Sequence, residues 1–415
     1  MKLLSIELHN FRNTDFKSVK FINKDGNIRN FTAIIGDNGV GKTSILEAIT
    51  KGYTPIVRNI SKVAVEKCDL NDSDIKNNKE WTAVKLTARL NDNYYSWYNK
   101  RRVSAKIEYT TDINETLDFK KIKNIYEELY NDSKLPLVLY YGTDRVIRDI
   151  PKRGHLKEFK IEDSLKNCFD NVNYFRDFYE WFKTEEDIEL REKSDDNSYE
   201  NIRLNSVRMA IERMIPGYKN LRIRFNPSRM IITNKDGEDL RIEQLSGGYK
   251  AVLSMVSDIA KRLSLANPNS ENPLEEEAII LIDELDLHLH PKWQKKISID
   301  LKRTFPNCQF IITTHSPFII QSLNRDEVIN IEKNEYENNE DYGSFEGWSI
   351  EEIQEYEMGV QTKTDRYKKY IKEFSDAIDN DDSDRAKSIY KALISMVHPK
   401  STEKRIIDID MAGLE

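Results

Sequence analysis

The spacing of apolar positions changes several times along this 415-residue chain. An alternating segment begins at Lys2, and a continuous apolar run, Phe31–Ile35, precedes a glycine loop and a helical pattern. Alternation returns at 83–90 and 103–109, joined by Asn/Asp and Lys-Arg-Arg residues, and an apolar run follows at 135–141. Alternation is typical of strands with one buried face, whereas apolar runs indicate strands buried on both faces. This part is predicted to be an α/β core flanked by antiparallel strands.

From residue 149 to 214 the spacing is helical and the composition polar. Residues 185–200 hold eight acids against two bases, which favours a solvated face or loop. Residues 213–229 then carry five bases and no acid. Two interpretations of this basic stretch stay open. It is either an amphipathic strand with one wet face, or a contact with the phosphates of DNA or RNA.

Alternating apolar strands and helices resume after Leu274, and two helical stripes follow near the C-terminus. Asp-rich residues 379–384 separate the stripes, so an αα-hairpin is predicted. Two roles remain possible for this hairpin: it packs on its own domain, or it docks a partner. The stripes consist of Tyr367, Tyr370, Ile371, Phe374 and Ile378, and of Ala386, Ile389, Tyr390, Leu393 and Val397.

Composition narrows the class of protein. Hydrophobic residues make up 39% of the chain and charged residues 33%, with a formal net charge of -7, which argues against a globally basic nucleic-acid coat. The three cysteines are far apart and form no Cys-x-x-Cys pair, so neither a zinc hook nor a disulfide framework is indicated. Without a signal-peptide pattern or an apolar run of about 20 residues, a cytoplasmic protein with no membrane span is expected.

A phosphate-binding loop is the strongest chemical signal. Gly36-Asp-Asn-Gly-Val-Gly-Lys42-Thr43 matches G-x-x-x-x-G-K-[ST] between a predicted strand and a predicted helix. In this context the loop amides and the helix N-terminus face ATP phosphates, Lys42 neutralises the β/γ oxygens and the Thr43 hydroxyl binds Mg²⁺. The residues expected to contact the nucleotide are Asn38, Gly39, Gly41, Lys42, Thr43 and Ser44.

Two carboxylates end a second buried strand, Ala278-Ile-Ile-Leu-Ile-Asp283-Glu284. Side chains at the carboxyl end of a parallel strand lie beside the phosphate loop, so Asp283 is predicted to hold Mg²⁺ and Glu284 to polarise the attacking water. Asp286 lies in the next turn, which we expect at a subunit contact beside the nucleotide. His288 and His290 lack a third ligand of suitable spacing for a metal site. His315, after the strand Phe310–Thr314, is predicted to sense the γ-phosphate.

A family resemblance rests on these motifs in order. The phosphate loop, Leu245-Ser-Gly-Gly, Asp-Glu with DLHLHP, and THSP resemble the ABC-type AAA ATPases of the RecF/SMC/OLD group over residues 1–65 and 240–332. The resemblance implies an ABC-ATPase head that dimerises around two ATPs, so that Ser246, Gly247 and Gly248 act in trans. Asn10-Phe-Arg-Asn13 is similar to that group's N-terminal signature, which places Arg12 close to the nucleotide.

One feature departs from the group. Its members carry a glutamine between the phosphate loop and the signature turn that reaches Mg²⁺, yet the first glutamine of this chain is Gln244. Either another polar residue takes its place or that lobe is rewired. The departure bears on the rate of ATP hydrolysis, not on nucleotide binding. One alternative to an active ATPase is therefore a scaffold that binds ATP but scarcely hydrolyses it.

Two shorter motifs narrow the resemblance. The first is Leu135-Pro-Leu-Val-Leu-Tyr-Tyr-Gly-Thr-Asp-Arg145, and the second runs from Gly347-Trp-Ser-Ile-Glu-Glu-Ile353 through Met358-Gly-Val360. Both are similar to the PtuA ATPase subunits of Septu and retron-associated antiphage defence systems. That similarity implies an ATPase that controls a separately encoded HNH nuclease, since the six histidines here form no HNH constellation. The alternative is a DNA-repair or chromosome-maintenance ATPase that clamps DNA itself, with candidate contacts Arg101, Arg102, Arg222 and Arg224.

The predicted organisation follows from these assignments. Residues 1–148 form the N-terminal half of the ATPase head with its antiparallel β lobe, and 149–214 form a compact helical insertion. Residues 215–332 complete the head with the signature turn, the Asp-Glu strand and the histidine turn. Residues 333–415 form a C-terminal helical tail that is a candidate for partner docking.

Overall fold

The computed structural model describes residues 1–60, 68–103, 119–144, 158–169, 175–226, 228–333 and 343–413. The chain divides into two compact units, Met1–Trp348 and Ser349–Glu415. The finer four-part division of the chain stays a prediction. Most of the predicted strand at 103–109, and Arg145 at the end of the motif that begins at Leu135, lie outside the described residues.

Strands and helices of the first unit alternate in the way the apolar spacing predicts. The strands are β1 (Lys2–Phe11), β2 (Thr14–Lys20), β3 (Phe31–Ile35), β4 (Trp81–Leu90), β5 (Asn93–Arg102), β6 (Leu137–Tyr141), β7 (Tyr218–Arg224), β8 (Arg229–Asn234), β9 (Asp239–Arg241), β10 (Ala278–Ile282), β11 (Gln309–Thr313) and β12 (Val328–Asn330). The helices are α1 (Lys42–Ile60), α2 (Phe119–Asn131), α3 (Phe175–Asp195), α4 (Ile202–Met214), α5 (Gly247–Ala266), α6 (Pro291–Thr304) and α7 (Pro317–Ile320).

The core of this unit is a parallel sheet. Among the described residues its order is β12-β3-β11-β10-β6, and every neighbouring pair is parallel. All residues of these strands are buried, which explains their continuous apolar sequences. Because parallel strands all end at one edge, the residues that follow β3, β10, β11 and β6 leave the sheet on the same side.

An antiparallel sheet, β2-β1-β4-β5, forms the predicted β lobe. Here the structure corrects one boundary, because the segment expected to connect two strands is itself the strand β5, paired with β4 from Trp81↔Arg102 to Leu90↔Asn93. Asn91 and Asp92 both adopt positive φ, at 48° and 61°. Two such residues make the tight turn that joins paired strands, so the Asn/Asp dipeptide closes a hairpin at that point.

The acids from residue 192 to residue 200 are exposed, as predicted for the acidic stretch, but three acids in its first half are not solvated. Glu185, Glu186 and Glu189 are buried on α3. Arg208 of α4 lies 2.9 Å from a Glu189 oxygen and 3.4 Å from a Glu186 oxygen, and the Ile223 amide donates to Glu186 at 2.9 Å. Buried carboxylates require such partners, and these come from later segments of the chain.

The basic stretch has the predicted amphipathic strand pattern. Leu221 and Ile223 of β7 are buried, while Arg224 is exposed. Arg222 forms an ion pair with Asp239 of β9 at 2.6 Å, and Arg101 of β5 pairs with Asp72 at 2.9 Å. Two of the four arginines proposed as DNA contacts therefore already have carboxylate partners.

The described part of the second unit contains the predicted helical hairpin, a short helix before it and a longer helix after it. It comprises α8 (Ile350–Glu352), α9 (Asp365–Asp379), α10 (Ser383–Ile394) and α11 (Thr402–Ala412). Its core contains Phe374, Ala386 and Leu393 from the two predicted stripes, joined by Ile407 and Met411 of α11. The described helices of the chain include none with the length and apolar character needed to cross a bilayer.

Candidate functional site

The phosphate-loop motif lies between the buried strand β3 and helix α1, as its pattern predicts. Its Gly41 adopts φ +102°, a conformation that favours glycine. The Lys42 ammonium is buried and donates to the carbonyl oxygens of Gly36 and Asp37, both at 2.8 Å. Burial lowers the pKa of Lys42, although Glu332 and Asp283 oppose that shift. The loop thus holds a cation over its own carbonyls at the start of the helix.

Helix α1 and strand β10 meet through a hydroxyl and a carboxylate. The Thr43 hydroxyl lies 3.0 Å from both oxygens of Asp283. Thr313, the last residue of β11, donates to Asp283 at 2.6 Å and accepts from the Glu284 amide at 2.7 Å. Glu284 has φ +46°, a conformation that non-glycine residues adopt mainly where the surroundings enforce it. Three separate segments therefore fix this pair of acids.

Sequence reasoning missed the role of Thr313. It contacts both acids of the site, Asp283 through its hydroxyl hydrogen and Glu284 through its hydroxyl oxygen. The available signal was a threonine at the end of the apolar run Phe310–Thr313, where the buried end of a strand carries a polar side chain. A polar group in that position needs a partner.

Asp286 holds the histidine turn. Its carboxylate accepts from the Thr314 hydroxyl at 2.6 Å and from the His315 amide at 3.2 Å. Ser316, which caps α7, donates to the Gln294 side-chain oxygen at 2.7 Å, and that amide group in turn donates to the Asp286 carbonyl at 3.3 Å. The turn after β10 and the turn after β11 are thus bound to each other. In this arrangement Asp286 positions His315.

Arg12 lies over the first turn of α1. Its guanidinium donates to the Ser44 hydroxyl at 2.9 Å and to Asp74 at 3.2 Å, and it pairs with Glu47. Burial opposes the charge of Arg12, but Glu47 and Asp74 more than offset this effect, and the pKa of Arg12 is raised. The structure thus brings Arg12 to Ser44, a residue of the phosphate loop that the sequence also assigns to the nucleotide site.

The signature turn begins helix α5. Ser246 is the N-cap residue and is exposed, with the Tyr249 amide 3.5 Å from its hydroxyl. A Cβ on Gly247 would meet nothing within 4 Å, whereas one on Gly248 would lie 2.7 Å from the His288 carbonyl oxygen. Gly248 is therefore required for packing inside the chain, and the position of Gly247 is open.

The helix is anchored next to this turn by aromatic packing. The ring of Tyr249 lies 4.4 Å from that of Trp293 and 5.1 Å from that of Tyr218, centroid to centroid. Tyr249 occupies the position that follows the two glycines. The contacts of the turn are thus with the DLHLHP segment and helix α6.

The position left by the missing glutamine has polar candidates. Strand β6 pairs with β10 in parallel, and the Asp283 amide donates to the Tyr141 carbonyl at 2.8 Å. Thr143 and Asp144 follow β6 at the edge where Asp283 follows β10. Thr143 and Asp144 are therefore candidates for the role of the missing glutamine.

The donor set suits a hard cation. Mg²⁺ prefers oxygen ligands, and the Thr43 hydroxyl and Asp283 carboxylate meet at 3.0 Å. Among the described residues, no group of three or more His, Cys, Asp or Glu side chains could by itself hold a metal. Mg²⁺ in nucleotide sites commonly takes one or two protein ligands and completes its shell with phosphates and water.

His290 caps helix α6, since its Nδ1 accepts from the Lys292 amide at the start of that helix.

Comparisons with known proteins identify the family. The sequence model described as "AAA domain, putative AbiEii toxin, Type IV TA system" matches residues 31–321. This chain belongs to that AAA domain family. The matched range includes the phosphate loop, the signature turn, the Asp-Glu strand and the histidine turn, which are the motifs of an ABC-type ATPase head.

Relatives of this family member include defence proteins. This chain is 32% identical to the "Retron Vc95 probable ATPase" of Vibrio cholerae, over 81% of this chain and 74% of that protein. It is 26% identical to the "Septu protein PtuA" of Bacillus thuringiensis, over 91% of each chain. Among solved structures, the SMC head domain from Thermotoga maritima has 16% identity and a TM-score of 0.43, over 78% of this chain and 92% of that chain.

Proposed function

We propose that this protein is a Mg²⁺-dependent ATPase of an antiphage defence system, which closes head to head around ATP and thereby controls a separate HNH nuclease. The observation that supports hydrolysis most directly is the meeting of Thr43, Asp283 and Glu284 around Thr313. A phosphate loop and an acid pair held by three segments are the parts that phosphoryl transfer to water requires.

Each residue has a chemical role in this proposal. Thr43 and Asp283 would hold Mg²⁺, which when bound neutralises charge on the nucleotide phosphates. Lys42 would exchange its loop carbonyls for phosphate oxygens. Glu284 would orient and polarise water, and His315, fixed by Asp286, would contact the γ-phosphate. Asn38, Gly39, Gly41 and Ser44 would supply amides and a hydroxyl to the phosphates.

The trans arrangement rests on the signature turn. Gly248 packs against its own chain, but the amide of Gly247 and the exposed Ser246 begin a long helix with open space around Gly247. A helix N-terminus of this kind attracts phosphate. A second copy of the chain would supply that phosphate, and two such contacts would make a twofold dimer that depends on ATP.

A complementation assay tests the trans arrangement. Lys42→Ala alone is expected to lose ATP binding, and Ser246→Arg alone to bind ATP without hydrolysing it. Mixed together, the two variants are expected to regain ATPase activity, because a mixed dimer combines an intact phosphate loop from one chain with an intact signature turn from the other. Activity is measured as phosphate release after refolding or co-expression of the two variants.

The matched control uses two defects from the same half of the site. Lys42→Ala mixed with Glu284→Gln is expected to stay inactive, because both residues belong to the site of one chain and no mixed dimer assembles an intact site. Glu284→Gln alone is expected to bind ATP and accumulate as a closed dimer on size exclusion. If the first mixture stayed inactive, or if Ser246→Arg hydrolysed ATP as a monomer, the trans arrangement would be wrong.

Control of a nuclease is supported by similarity to PtuA and to retron ATPases. The test is co-expression with the neighbouring reading frame, followed by affinity purification and phage plating. An HNH protein that co-purifies, together with protection that Glu284→Gln abolishes, is the expected result. Protection that survives Glu284→Gln would favour the scaffold alternative.

Direct DNA clamping makes a different prediction. It requires ATP-dependent DNA affinity of the isolated chain, with an affinity that falls steeply as salt is raised. Arg222 and Arg101 are already paired with Asp239 and Asp72, which leaves less positive charge for phosphates than the sequence suggests. We therefore expect weak DNA affinity in a salt titration by fluorescence anisotropy.

A further inference from the structure

A small cavity lined by cations lies outside the phosphate loop. It encloses about 100 Å³ between β2, the segment before β3 and the end of β12. Its lining includes Lys17, Lys20, Arg29 and Lys333, and among the described residues that line it there is no acid. A volume of this size is about three times the share of one water molecule in the liquid. The cavity therefore has room for one small ion.

Arg29 is the buried member of this group. Only 7% of its surface is exposed, and within the described residues its Nε has no hydrogen-bond partner. One other nitrogen of the guanidinium donates to the Lys20 carbonyl oxygen at 3.3 Å. A buried guanidinium with an unsatisfied donor is costly unless an acceptor reaches it. Arg29 thus retains one donor, its Nε, for which the described residues provide no acceptor.

The neighbouring charged residues do not provide an acceptor for the Nε of Arg29. Asp326 acts on Arg29, but Arg325 opposes it, and burial lowers the pKa of Arg29. Lys17 donates to the Ile331 carbonyl at 2.6 Å and feels the charge of Glu332. Among the described residues that line the cavity, the charged side chains are all cations.

We propose that this cavity binds a single phosphate-type oxyanion, at a site distinct from the phosphate loop. Phosphate offers several acceptor oxygens in a compact volume, which fits converging ammonium and guanidinium donors. Arg29 supplies the buried donor, and Lys20 and Lys333 supply charge at the rim.

The cavity is connected to the phosphate loop through one residue. Glu332 lies between Ile331 and Lys333, which line the cavity, and its carboxylate accepts from the Asp37 amide at 2.6 Å. An anion beside Lys333 would therefore act next to Glu332, the residue that accepts from the Asp37 amide of the phosphate loop. The site is thus placed to influence nucleotide binding.

Calorimetric titration of the full chain with inorganic phosphate tests the proposal. Saturating Mg²⁺ and a non-hydrolysable ATP analogue occupy the phosphate loop first, so that further binding reports the cavity. One phosphate per chain is expected. The same titration of Lys42→Ala, without nucleotide, gives a second measurement that does not depend on the proposed ATPase function.

Substitutions at the rim avoid the risk that Arg29→Gln fails to fold. The double variant Lys20→Gln/Lys333→Gln is expected to weaken phosphate binding at least about tenfold, the worth of one charge-assisted hydrogen bond. The control Lys235→Gln/Lys387→Gln removes two exposed lysines elsewhere and should leave the affinity unchanged. The proposal is overturned if wild type binds no phosphate under these conditions, or if both double variants bind it equally.

A competition arm distinguishes the source of the phosphate. A single-stranded oligonucleotide with a 5′-phosphate is added to the phosphate titration, beside the same oligonucleotide without it. We expect no competition, which supports a free anion as the ligand. Competition that Lys20→Gln/Lys333→Gln weakens would also support the site but would assign its phosphate to a nucleic acid. Competition that this double variant leaves unchanged would overturn the assignment to this cavity.

Discussion

At the scale of single residues, the two glycines of the signature turn have different environments. Gly248 faces the His288 carbonyl, whereas Gly247 has open space. In the sequence the two are equivalent, since both belong to the same LSGG motif. Substituting each glycine in turn therefore tests two different requirements. At Gly248 the requirement is packing within the chain, and at Gly247 it would be a contact with a second molecule.

Gly247→Ala is expected to fold like wild type but to lose ATPase activity about tenfold or more, because a methyl group would stand where a second copy presents its phosphate. Gly248→Ala is expected to lower the free energy of unfolding by about 1–3 kcal/mol, because its Cβ would overlap a backbone oxygen. Denaturant unfolding and phosphate release measure the two effects. A Gly247→Ala variant with the wild-type rate would contradict a phosphate contact at this turn.

Glu186 gives a pH-dependent prediction at the same scale. Burial raises the pKa of Glu186 to about 7, against the opposing effects of the Ile223 amide and Arg208. Because the folded state holds this proton more tightly than the unfolded state, the stability it contributes is complete below about pH 4.5. It is lost as pH rises through 7, by roughly 3 kcal/mol.

Glu186→Gln is therefore expected to flatten the fall in stability between pH 5 and 8, measured as the free energy of unfolding in urea. The amide oxygen of glutamine can still accept from Ile223. Glu180→Gln, in the same helix and outside the buried cluster, serves as the control and should keep the wild-type pH profile. A Glu186→Gln profile that matched wild type would show that Glu186 is ionised throughout this range.

At the scale of elements, a buried ion cluster joins helix α5 to the end of strand β6. Asp258 pairs with Arg262 at 2.6 Å and Lys261 at 2.9 Å, and accepts from the Tyr141 hydroxyl at 2.9 Å. Arg262 also donates to the Ser164 carbonyl at 2.7 Å. Burial opposes the charge of Asp258, but Arg262 and Lys261 more than offset this effect and hold its pKa at about 2. The signature helix is thereby fixed to the strand that borders Asp283.

Asp258→Asn is expected to destabilise the protein by about 3–5 kcal/mol, because it leaves two buried cations without their counter-ion. Tyr141→Phe removes only one hydroxyl and should cost about 1 kcal/mol. Thermal unfolding at pH 7 compares the two variants. Equal losses for both would mean that the cluster contributes through packing and not through charge.

At the scale of the whole molecule, the two compact units each have their own core. The nucleotide-site residues all belong to Met1–Trp348. If the proposed function is right, a chain that ends after Trp348 is expected to keep ATP binding and ATPase activity while losing association with the proposed nuclease partner. Calorimetry with ATP and co-purification measure the two properties. Loss of ATP binding by a well-folded truncation would place part of the site in the second unit.

The sequence by itself determined the class of fold and the residues proposed for the site. Apolar runs followed by glycines or acids predicted β3 and β10, because a strand buried on both faces leaves its functional groups at its end. The helical stripes predicted α9 and α10 in the same way. These signals are local, since a motif or a period of apolar residues lies within one stretch of chain.

The tertiary structure decided what those groups contact. Only folding brings Thr313 to both acids, Asp286 to the His315 turn and Arg208 to the carboxylates of α3. The sequence predicts that the whole acidic stretch is solvated, because the same glutamate or aspartate can face water or pair with an arginine. Partners that are separated along the chain meet through strand order and helix packing, which no local pattern encodes.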